Sequence, residues 1–251
     1  MSRPRLLDLF CGAGGVSAGY ARAGFEVVGV DVSPMPNYPF EFHRADALTF
    51  PLDGFDAYHA SAPCQDHSPL AALVGGHGTG WMLAAARERL ASTGKPYVLE
   101  NVPGAPMRPD VILCGHMFGL RTRRHRWFEL GGFSCLAPPH VHRPGVRTAT
   151  SRRRERWAQG WDVSVTGDVG TYVGPEALGI DWMTGDELSQ AIPPAYAEYV
   201  GGFLIDSLAR DAGDSRETCG FWYSVTGECR IGPLSLEVGG PCPDCPIARR
   251  R

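Results

Sequence analysis

Residues 5–31, RLLDLFCGAGGVSAGYARAGFEVVGVD, predict the class of fold. The apolar run at 5–10 has the pattern of a buried strand, and the glycine-rich turn at 11–15 leads into helical spacing over 16–23. A second strand pattern at 25–30 ends at Asp31. This order is typical of the first unit of a nucleotide-binding α/β sheet, in which glycines admit a ligand close to the backbone and the acid suits ribose hydroxyls.

The same alternation continues along the chain. Strand patterns occupy 55–61 and 96–100, and an amphipathic helix is predicted over 81–92 after a glycine-rich loop at 75–80. The sequence therefore predicts an open, mostly parallel, Rossmann-like sheet with helices on both faces. Helical patterns return at 184–188 and 195–208, so the main domain is expected to comprise 1–135 and 176–210. A short irregular insert (136–175) and a cysteine-rich tail (211–251) complete the chain.

The composition is that of one globular domain with a small appendage. The chain has 251 residues, of which 43% are hydrophobic and 20% charged. No apolar run approaches the roughly 18–20 residues that a membrane span needs. The first ten residues contain no separate apolar segment of the kind found in secretory signals. We therefore expect a cytoplasmic protein that does not interact with a membrane.

The net charge of −3 is unevenly distributed. Residues 121–156 contain ten arginines and only two acidic residues, whereas the rest of the chain is strongly acidic. A basic stretch on an acidic body favours a binding site for a polyanion such as a nucleic acid. A solvated run of charges is the alternative interpretation.

Three further motifs follow predicted strands or precede one. Cys64, in Pro63-Cys64-Gln65, lies just past a strand end and can act as a thiolate nucleophile. Glu100 ends the strand at 96–100 and could act as an acid or as a hydrogen-bond donor to a ring nitrogen. Arg124 and Arg126 alternate before an apolar run and would suit phosphate or base oxygens. Taken singly, Cys64 could equally be an inert buried cysteine, and Glu100 could equally be an acid that caps a turn.

The glycine-rich turn reads G-x-G-G rather than G-x-G-x-x-G. That pattern does not cradle a pyrophosphate in the dinucleotide manner. It fits a nucleoside-type cofactor without a phosphate chain, or else a turn that is merely tight.

In this order, the motifs resemble those of the C5-cytosine DNA methyltransferases. The segments that carry the resemblance are DLFCGAGG at 8–15, APCQ at 62–65, ENV at 100–102, RHR at 124–126 and QAIPP at 190–194. They are similar, in turn, to the family's first cofactor motif, Pro-Cys-Gln nucleophile motif, Glu-Asn-Val motif, arginine motif and closing Asn-Ala-Val-Pro-Pro element. The resemblance covers 5–130 and about 180–208, and leaves a very short target-recognition region.

The resemblance implies S-adenosylmethionine as the cofactor and double-stranded DNA as the partner. Phe10 would contact the adenine, Asp31 the ribose and Asp46 the adenine amino group. The cofactor-binding residues it implies are Phe10, Gly12, Gly14, Gly15, Asp31, Val32, Asp46, Pro63, Gln190 and Ala191. The catalytic residues it implies are Cys64, Glu100, Arg124 and Arg126.

The implied reaction begins with addition of the Cys64 thiolate to C6 of a cytosine that has been flipped out of the duplex. C5 then accepts the methyl group and loses its proton, and Cys64 is eliminated. Glu100 would engage N3 and the exocyclic amine, and Arg126, supported by Arg124, would bind O2. The loop at 75–80 would close over the base.

Some positions depart from the family pattern. Ala62, Thr122 and Gln190 replace a proline, a glutamine and an asparagine, and none of these changes removes a group that the chemistry requires. The insert is also short, so few side chains can reach base edges. We expect a recognition site of roughly two to four base pairs. The arginines expected to read it are Arg143, Arg147, Arg152, Arg153, Arg154 and Arg156.

Other functions are compatible with the same motifs. The substrate could be tRNA or a cytosine nucleotide, although the basic insert favours a polynucleotide. A non-catalytic DNA-binding derivative of the fold is a third hypothesis, but such a protein has no chemical need to retain Cys64, Glu100 and Arg126 together.

The tail contains a separate cluster of cysteines. Cys242 and Cys245 have the spacing of a zinc knuckle, with Cys219 and Cys229 as candidate partners. A structural zinc ion, free surface thiols and a disulfide are the three interpretations.

Overall fold

The computed structural model describes residues 2–63, 79–140, 142, 148–150, 154–165 and 170–211. Several predicted features lie outside these residues: Cys64, most of the loop at 75–80, the arginines Arg143, Arg147, Arg152 and Arg153, and the tail cysteines Cys219, Cys229, Cys242 and Cys245. None of the helices in the described part of the chain is long and apolar enough to cross a membrane.

Within the described residues, one seven-stranded sheet forms the centre of the molecule. Its strands are β1 (Arg5–Leu9), β2 (Glu26–Asp31), β3 (Glu41–Arg44), β4 (Ala57–Ala60), β5 (Tyr97–Asn101), β6 (Val111–Leu113) and β7 (Arg126–Gly131). The order across the sheet is β3-β2-β1-β4-β5-β7-β6. The first five strands of this order pair with their neighbours in parallel. Strand β7 pairs antiparallel with both β5 and β6. The predicted Rossmann-like, mostly parallel sheet is confirmed.

The helices pack against this sheet and around the site. They are α1 (Gly15–Ala23), α2 (Met82–Ala91), α3 (Arg154–Ala158), α4 (Gly170–Leu178), α5 (Gly185–Gln190) and α6 (Pro194–Asp211), with a short 3-10 helix at Gly115–Phe118. The helices predicted at 16–23, 81–92, 184–188 and 195–208 correspond to α1, α2, α5 and α6 and differ by at most three residues at any end.

The insert is more regular than its sequence indicates. Two three-residue strands, β8 (Thr148–Thr150) and β9 (Asp162–Ser164), pair in parallel, and α3 lies between them. Elements this short show no hydrophobic period, so the sequence could not reveal them. Their placement depends on tertiary contacts such as the 2.8 Å hydrogen bond from the Val163 amide to the Arg121 carbonyl.

The sheet is buried on both faces because successive side chains of each strand point to opposite sides. Leu6 belongs to the core cluster that includes Tyr20 of α1 and Tyr196 of α6. Leu7 belongs to the cluster on the other face, with Leu83 of α2. All five side chains are almost completely buried. Full burial of a large apolar side chain contributes about 1.5–3 kcal/mol, so the apolar runs in the strands stabilise both layers.

Helices α1 and α6 approach each other closely through glycines. A Cβ at Gly19 would overlap the carbonyl oxygen of Pro194, and one at Gly201 would lie 2.8 Å from the Cβ of Ala23. Real Cβ atoms do not approach this closely, so larger residues at either position would force the helices apart. This crossing holds the C-terminal helix against the N-terminal unit of the sheet.

Asp8 is a buried acid in the first strand. It accepts a hydrogen bond from the Ser17 hydroxyl, which itself accepts one from Tyr38 at 2.8 Å. Its other carboxylate oxygen has no hydrogen-bond partner among the described residues. Burial raises the pKa of Asp8 to about 7; the Ser17 hydrogen bond opposes this, and the charges of Asp31 and Glu100 add to it.

Substitution of Asp8 by Asn is expected to remove a pH-dependent penalty on stability. Because the pKa is higher in the folded than in the unfolded state, Asp8 lowers the free energy of unfolding progressively as pH rises from about 4 through about 7. Between about pH 5 and pH 8 the Asn variant should gain about 2–3 kcal/mol relative to the original chain. Urea unfolding at several pH values measures this difference, and a difference that does not vary with pH would contradict it.

Candidate active site

The sheet has a topological switch between β1 and β4. From β1 the chain runs outward through β2 and β3, whereas from β4 it runs to β5 on the other side. Ligands of open α/β sheets bind at the carboxyl ends of the strands beside such a switch. Two segments meet there in this protein: the glycine-rich turn that follows β1, and residues 61–63, which follow β4.

The glycine-rich turn has an unusual backbone. Gly12 (φ 50°) and Gly14 (φ 89°) have left-handed conformations, and so does Phe10 (φ 57°), which is not a glycine. A non-glycine residue in this region costs about 1–2 kcal/mol, and such strain is concentrated at functional sites. A Cβ built on Gly12 would meet nothing within 4 Å. The turn therefore borders open space into which a ligand can approach the backbone.

The tips of β2 and β3 lie beside this turn. Asp31 accepts hydrogen bonds from the Gly12 amide at 3.1 Å and from the Ser33 amide at 2.9 Å. The amide of Ala45 donates to the Asp31 carbonyl at 3.0 Å, which brings the adjacent Asp46 to the same edge of the sheet. Val32, an apolar residue, is 68% exposed at this edge. Two acids and an exposed apolar side chain fit a nucleoside, which carries hydroxyl and amino donors on an apolar ring system.

Residues near the C-terminus cover the same turn. Gln190 ends α5 and Ala191 follows it; a Cβ at Gly15 would lie 3.5 Å from the Ala191 Cβ and 2.5 Å from the Ile192 carbonyl oxygen. The indole of Trp182 donates to the Ala13 carbonyl at 2.9 Å. The structure thus places Ala191 against the turn, directly after Gln190, and adds Trp182, which no motif indicated.

Glu100 and Arg126 form a buried ion pair at the other side of the switch. Glu100 lies in β5 and Arg126 begins the neighbouring β7; the Arg126 Nε lies 3.1 Å from the Glu100 Oε1. Burial raises the pKa of Glu100, and the charge of Arg126, a hydrogen bond from Ser61 and the charge of Arg124 oppose this. The carboxyl group therefore retains its proton to a higher pH than an exposed glutamate, which suits it to donate to a ring nitrogen.

A chain of buried polar groups extends behind Glu100. Ser61 contacts Glu100 and lies 2.8 Å from the His59 Nε2, and the His59 Nδ1 lies 3.0 Å from the Tyr20 hydroxyl. Burial lowers the pKa of His59 to about 3, so the imidazole is neutral and uses one nitrogen as donor and the other as acceptor. The chain fixes the Ser61 hydroxyl and through it the carboxyl of Glu100. No sequence motif indicates this chain, and its only signal is a histidine in an apolar strand.

Asn101 holds the segment that leads to Cys64. Its side-chain amide donates to the Ala62 carbonyl at 3.0 Å, and its side-chain oxygen accepts from the Val102 amide at 2.9 Å. Pro63 is the last described residue of this segment, and Asn101 fixes the backbone at Ala62 next to Glu100. The Asn of the Glu-Asn-Val motif thus has a positioning role.

Arg124 is directed toward the insert. Its guanidinium donates to the carbonyl oxygens of Val165 at 2.9 Å and Ser189 at 3.0 Å, and its own carbonyl accepts from the Tyr196 hydroxyl at 2.6 Å. These bonds join the insert, α5 and α6 beside Arg126. Arg124 therefore organises the chain around Arg126 through backbone contacts.

The structure places few of the arginines expected to contact DNA. Arg156 has its guanidinium over the Trp161 ring, 4.9 Å from the ring centre. Arg154 is the first residue of α3, and Arg143, Arg147, Arg152 and Arg153 lie outside the described residues. Arg121 stacks on Trp157 at 3.6 Å and donates to the Trp161 carbonyl at 2.7 Å, so this member of the basic stretch has a structural role.

Comparison with known proteins supports the class of fold. No protein-family profile matches the sequence, and no curated protein matches it either. The structure is similar to that of the Dnmt2 methyltransferase of S. pombe, with 12% identity and a TM-score of 0.50 over 84% of this chain and 99% of that one. It is also similar to the methyltransferase EhMeth of Entamoeba histolytica, with 11% identity and a TM-score of 0.51 over 83% and 99% of the two chains. At these identities the likeness establishes the fold, which is that of a methyltransferase.

Alanine substitutions at Gly12 and Gly15 should have different effects. A methyl group at Gly15 would press on the Ile192 backbone, so this variant should lose about 3 kcal/mol of stability. A methyl group at Gly12 enters open space, so its cost is the backbone strain of about 1–2 kcal/mol. It should, however, weaken binding of a ligand seated on the turn. Thermal unfolding measures the loss of stability, and calorimetric titration with S-adenosylmethionine measures the affinity. A Gly12 variant with unchanged affinity would contradict the expected binding site on the turn.

Proposed function

We propose that this protein transfers a methyl group from S-adenosylmethionine to C5 of cytosine in double-stranded DNA. The observation that carries the proposal is the buried pair of Glu100 and Arg126, 3.1 Å apart, beside the segment that leads to Cys64. A carboxyl group with a raised pKa and a guanidinium match the N3 and O2 positions of cytosine, which accept hydrogen bonds. The methyltransferase fold and the five ordered sequence motifs support the same reaction.

The cofactor residues proposed from the sequence lie along one edge of the sheet. Phe10, Gly12 and Gly14 belong to the turn after β1, Asp31 is the last residue of β2, and Asp46 follows β3. S-adenosylmethionine bound there would supply an electrophilic methyl group. Asp31 would accept from the ribose hydroxyls, Asp46 from the adenine amino group, and Phe10 and Val32 would contact the adenine ring.

The protein's own groups would then prepare the base. The thiolate of Cys64 forms a bond to C6 of the flipped-out cytosine, and the electron pair displaced from the 5,6 double bond makes C5 nucleophilic. Glu100 donates to N3 as negative charge develops on the ring, and Arg126 holds O2. After methylation, C5 gives up its proton to a base, the 5,6 double bond is restored and the Cys64 sulfur leaves.

The arginine content of the insert favours a polynucleotide over a free nucleotide. DNA is proposed over tRNA because the ordered motifs resemble those of the DNA enzymes. The duplex must release its target base, which costs a few kcal/mol of unstacking that contacts from the insert would have to offset.

Transfer of labelled methyl groups from S-adenosylmethionine to unmethylated DNA tests the reaction. Label should appear as 5-methylcytosine in DNA, and Cys64→Ala should abolish it because no adduct can form. Cys135→Ala is the matched control, since this free, partly buried thiol packs against the core cluster of Leu6 and Tyr196 and should leave activity intact. Glu100→Gln should lower the rate about 100-fold or more while S-adenosylmethionine still binds.

Parallel reactions with tRNA and dCMP identify the substrate. Label found only in tRNA or only in dCMP would agree with the proposed mechanism but reject DNA as the substrate. Cofactor binding without label in any substrate would reject the enzymatic proposal in favour of a binding role.

The length of the recognition site is a further prediction. Each well-formed bidentate contact to a base contributes about 1–3 kcal/mol of discrimination, and the insert offers few side chains for this purpose. Methylated positions mapped by bisulfite or nanopore sequencing should therefore share a site of roughly two to four base pairs. A strict six-base site would contradict the expectation.

A further inference from the structure

Three histidines and a cysteine from separate parts of the chain converge beside β7. Cys114 follows β6, His125 immediately precedes β7, and His140 and His142 lie in the extended segment after it. Each residue offers one ligand atom, and the four atoms all lie within 4.8 Å of one another. We name these four residues the Cys-His cluster.

The separations within the Cys-His cluster match a tetrahedral metal centre. The Cys114 Sγ lies 3.6 Å from the His142 Nε2, and the Nε2 atoms of His142 and His125 are 3.3 Å apart. Zinc–nitrogen bonds are about 2.0–2.1 Å long and a zinc–sulfur bond is about 2.3 Å long. In a tetrahedral site these lengths separate a sulfur and a nitrogen ligand by about 3.6 Å, and two nitrogen ligands by about 3.3 Å. A pair at the 4.8 Å limit would have to close by about 1.2–1.5 Å to reach these separations, a movement that the exposed side chains of His140 and His142 can accommodate.

The chemistry of the ligands is also that of a zinc site. One thiolate and three neutral imidazoles favour Zn²⁺ over Mg²⁺ or Ca²⁺, which prefer oxygen ligands. The Cys114 thiol, which contacts the Arg123 carbonyl at 3.3 Å, would lose its proton to solvent on binding the metal.

We propose that Cys114, His125, His140 and His142 bind one zinc ion in a closed, structural site. Four protein ligands fill the tetrahedral coordination and leave no position for a substrate, so the ion's role is to hold the chain together. It would fasten the segment at 136–142 to the ends of β6 and β7. The arginine-rich residues 143–156 follow at once, and Arg126 is the neighbour of a ligand, so the ion would order the start of the insert next to the catalytic pair.

This site is distinct from the one predicted in the tail. Cys219, Cys229, Cys242 and Cys245 lie outside the described residues, and the two sites share no ligand. A zinc ion in the Cys-His cluster is bound by one thiolate, whereas a zinc ion in the tail would be bound by up to four. The number of thiolates therefore distinguishes the two sources of bound metal.

Metal analysis of the purified full-length protein tests the proposal. We expect about one zinc ion per chain that is lost in His140→Asn, with at least a 100-fold fall in zinc affinity. His140 is exposed, so its substitution should leave the fold intact, which circular dichroism and S-adenosylmethionine binding can verify. His43→Asn is the matched control, because this exposed histidine pairs with Glu41 far from the cluster.

A second variant and a spectroscopic probe make the outcome specific. Cys242→Ser with Cys245→Ser should keep the zinc ion that His140→Asn loses. Replacement by Co²⁺ should give the visible spectrum of a tetrahedral centre with a charge-transfer band of one thiolate. Zinc content unaffected by His140→Asn, a spectrum of four thiolates alone, or failure of the folded protein to bind either ion would each overturn the proposal. These results do not depend on methyl transfer, so they are separate from the test of the proposed function.

Discussion

The close packing of the segment at 191–201 against α1 is the constraint on which both sides of the site depend. Gly15, Gly19 and Gly201 remove the side chains that would otherwise separate these segments. The approach places Ala191 over the glycine-rich turn, and it brings the Tyr196 hydroxyl to the Arg124 carbonyl at 2.6 Å. Because the segment at 191–201 contacts both the glycine-rich turn and Arg124, a shift of this segment would disturb both together.

Buried polar groups connect the two sides within the sheet. Asp8, His59 and Glu100 lie in β1, β4 and β5, three adjacent strands, and each is almost completely buried. An unpaired buried charge is costly, and here burial keeps His59 neutral and raises the pKa of both acids. The hydrogen-bond chain through Ser61 supports the Glu100 carboxyl, so the group proposed to contact the base is oriented before the base arrives.

Arginine has two different roles in this protein. Arg121 and Arg124 donate to backbone carbonyls of the insert and of α5, and Arg87 pairs with the buried Glu129 through two hydrogen bonds of 2.8 and 2.9 Å. Arg126, by contrast, has its Nε 3.1 Å from the Glu100 carboxylate. The positive charge of the stretch at 121–156 thus overstates the number of side chains free to bind a polyanion, because part of that charge holds the insert to the sheet. The proposed zinc ion would add a second attachment of the same segment.

The sequence by itself determined the parallel sheet, its main helices and the motifs of the proposed site, because long apolar periods and glycine turns are local signals. It also placed Glu100 at a strand end, where the structure finds it. Only the tertiary structure decided which arginine meets Glu100, that Trp182 covers the turn, and that Cys114 meets His125, His140 and His142. These contacts join residues far apart in the chain, and a single sequence carries no information about which distant residues are close in space. The short strands β8 and β9 were likewise beyond prediction, since three residues have no period to read.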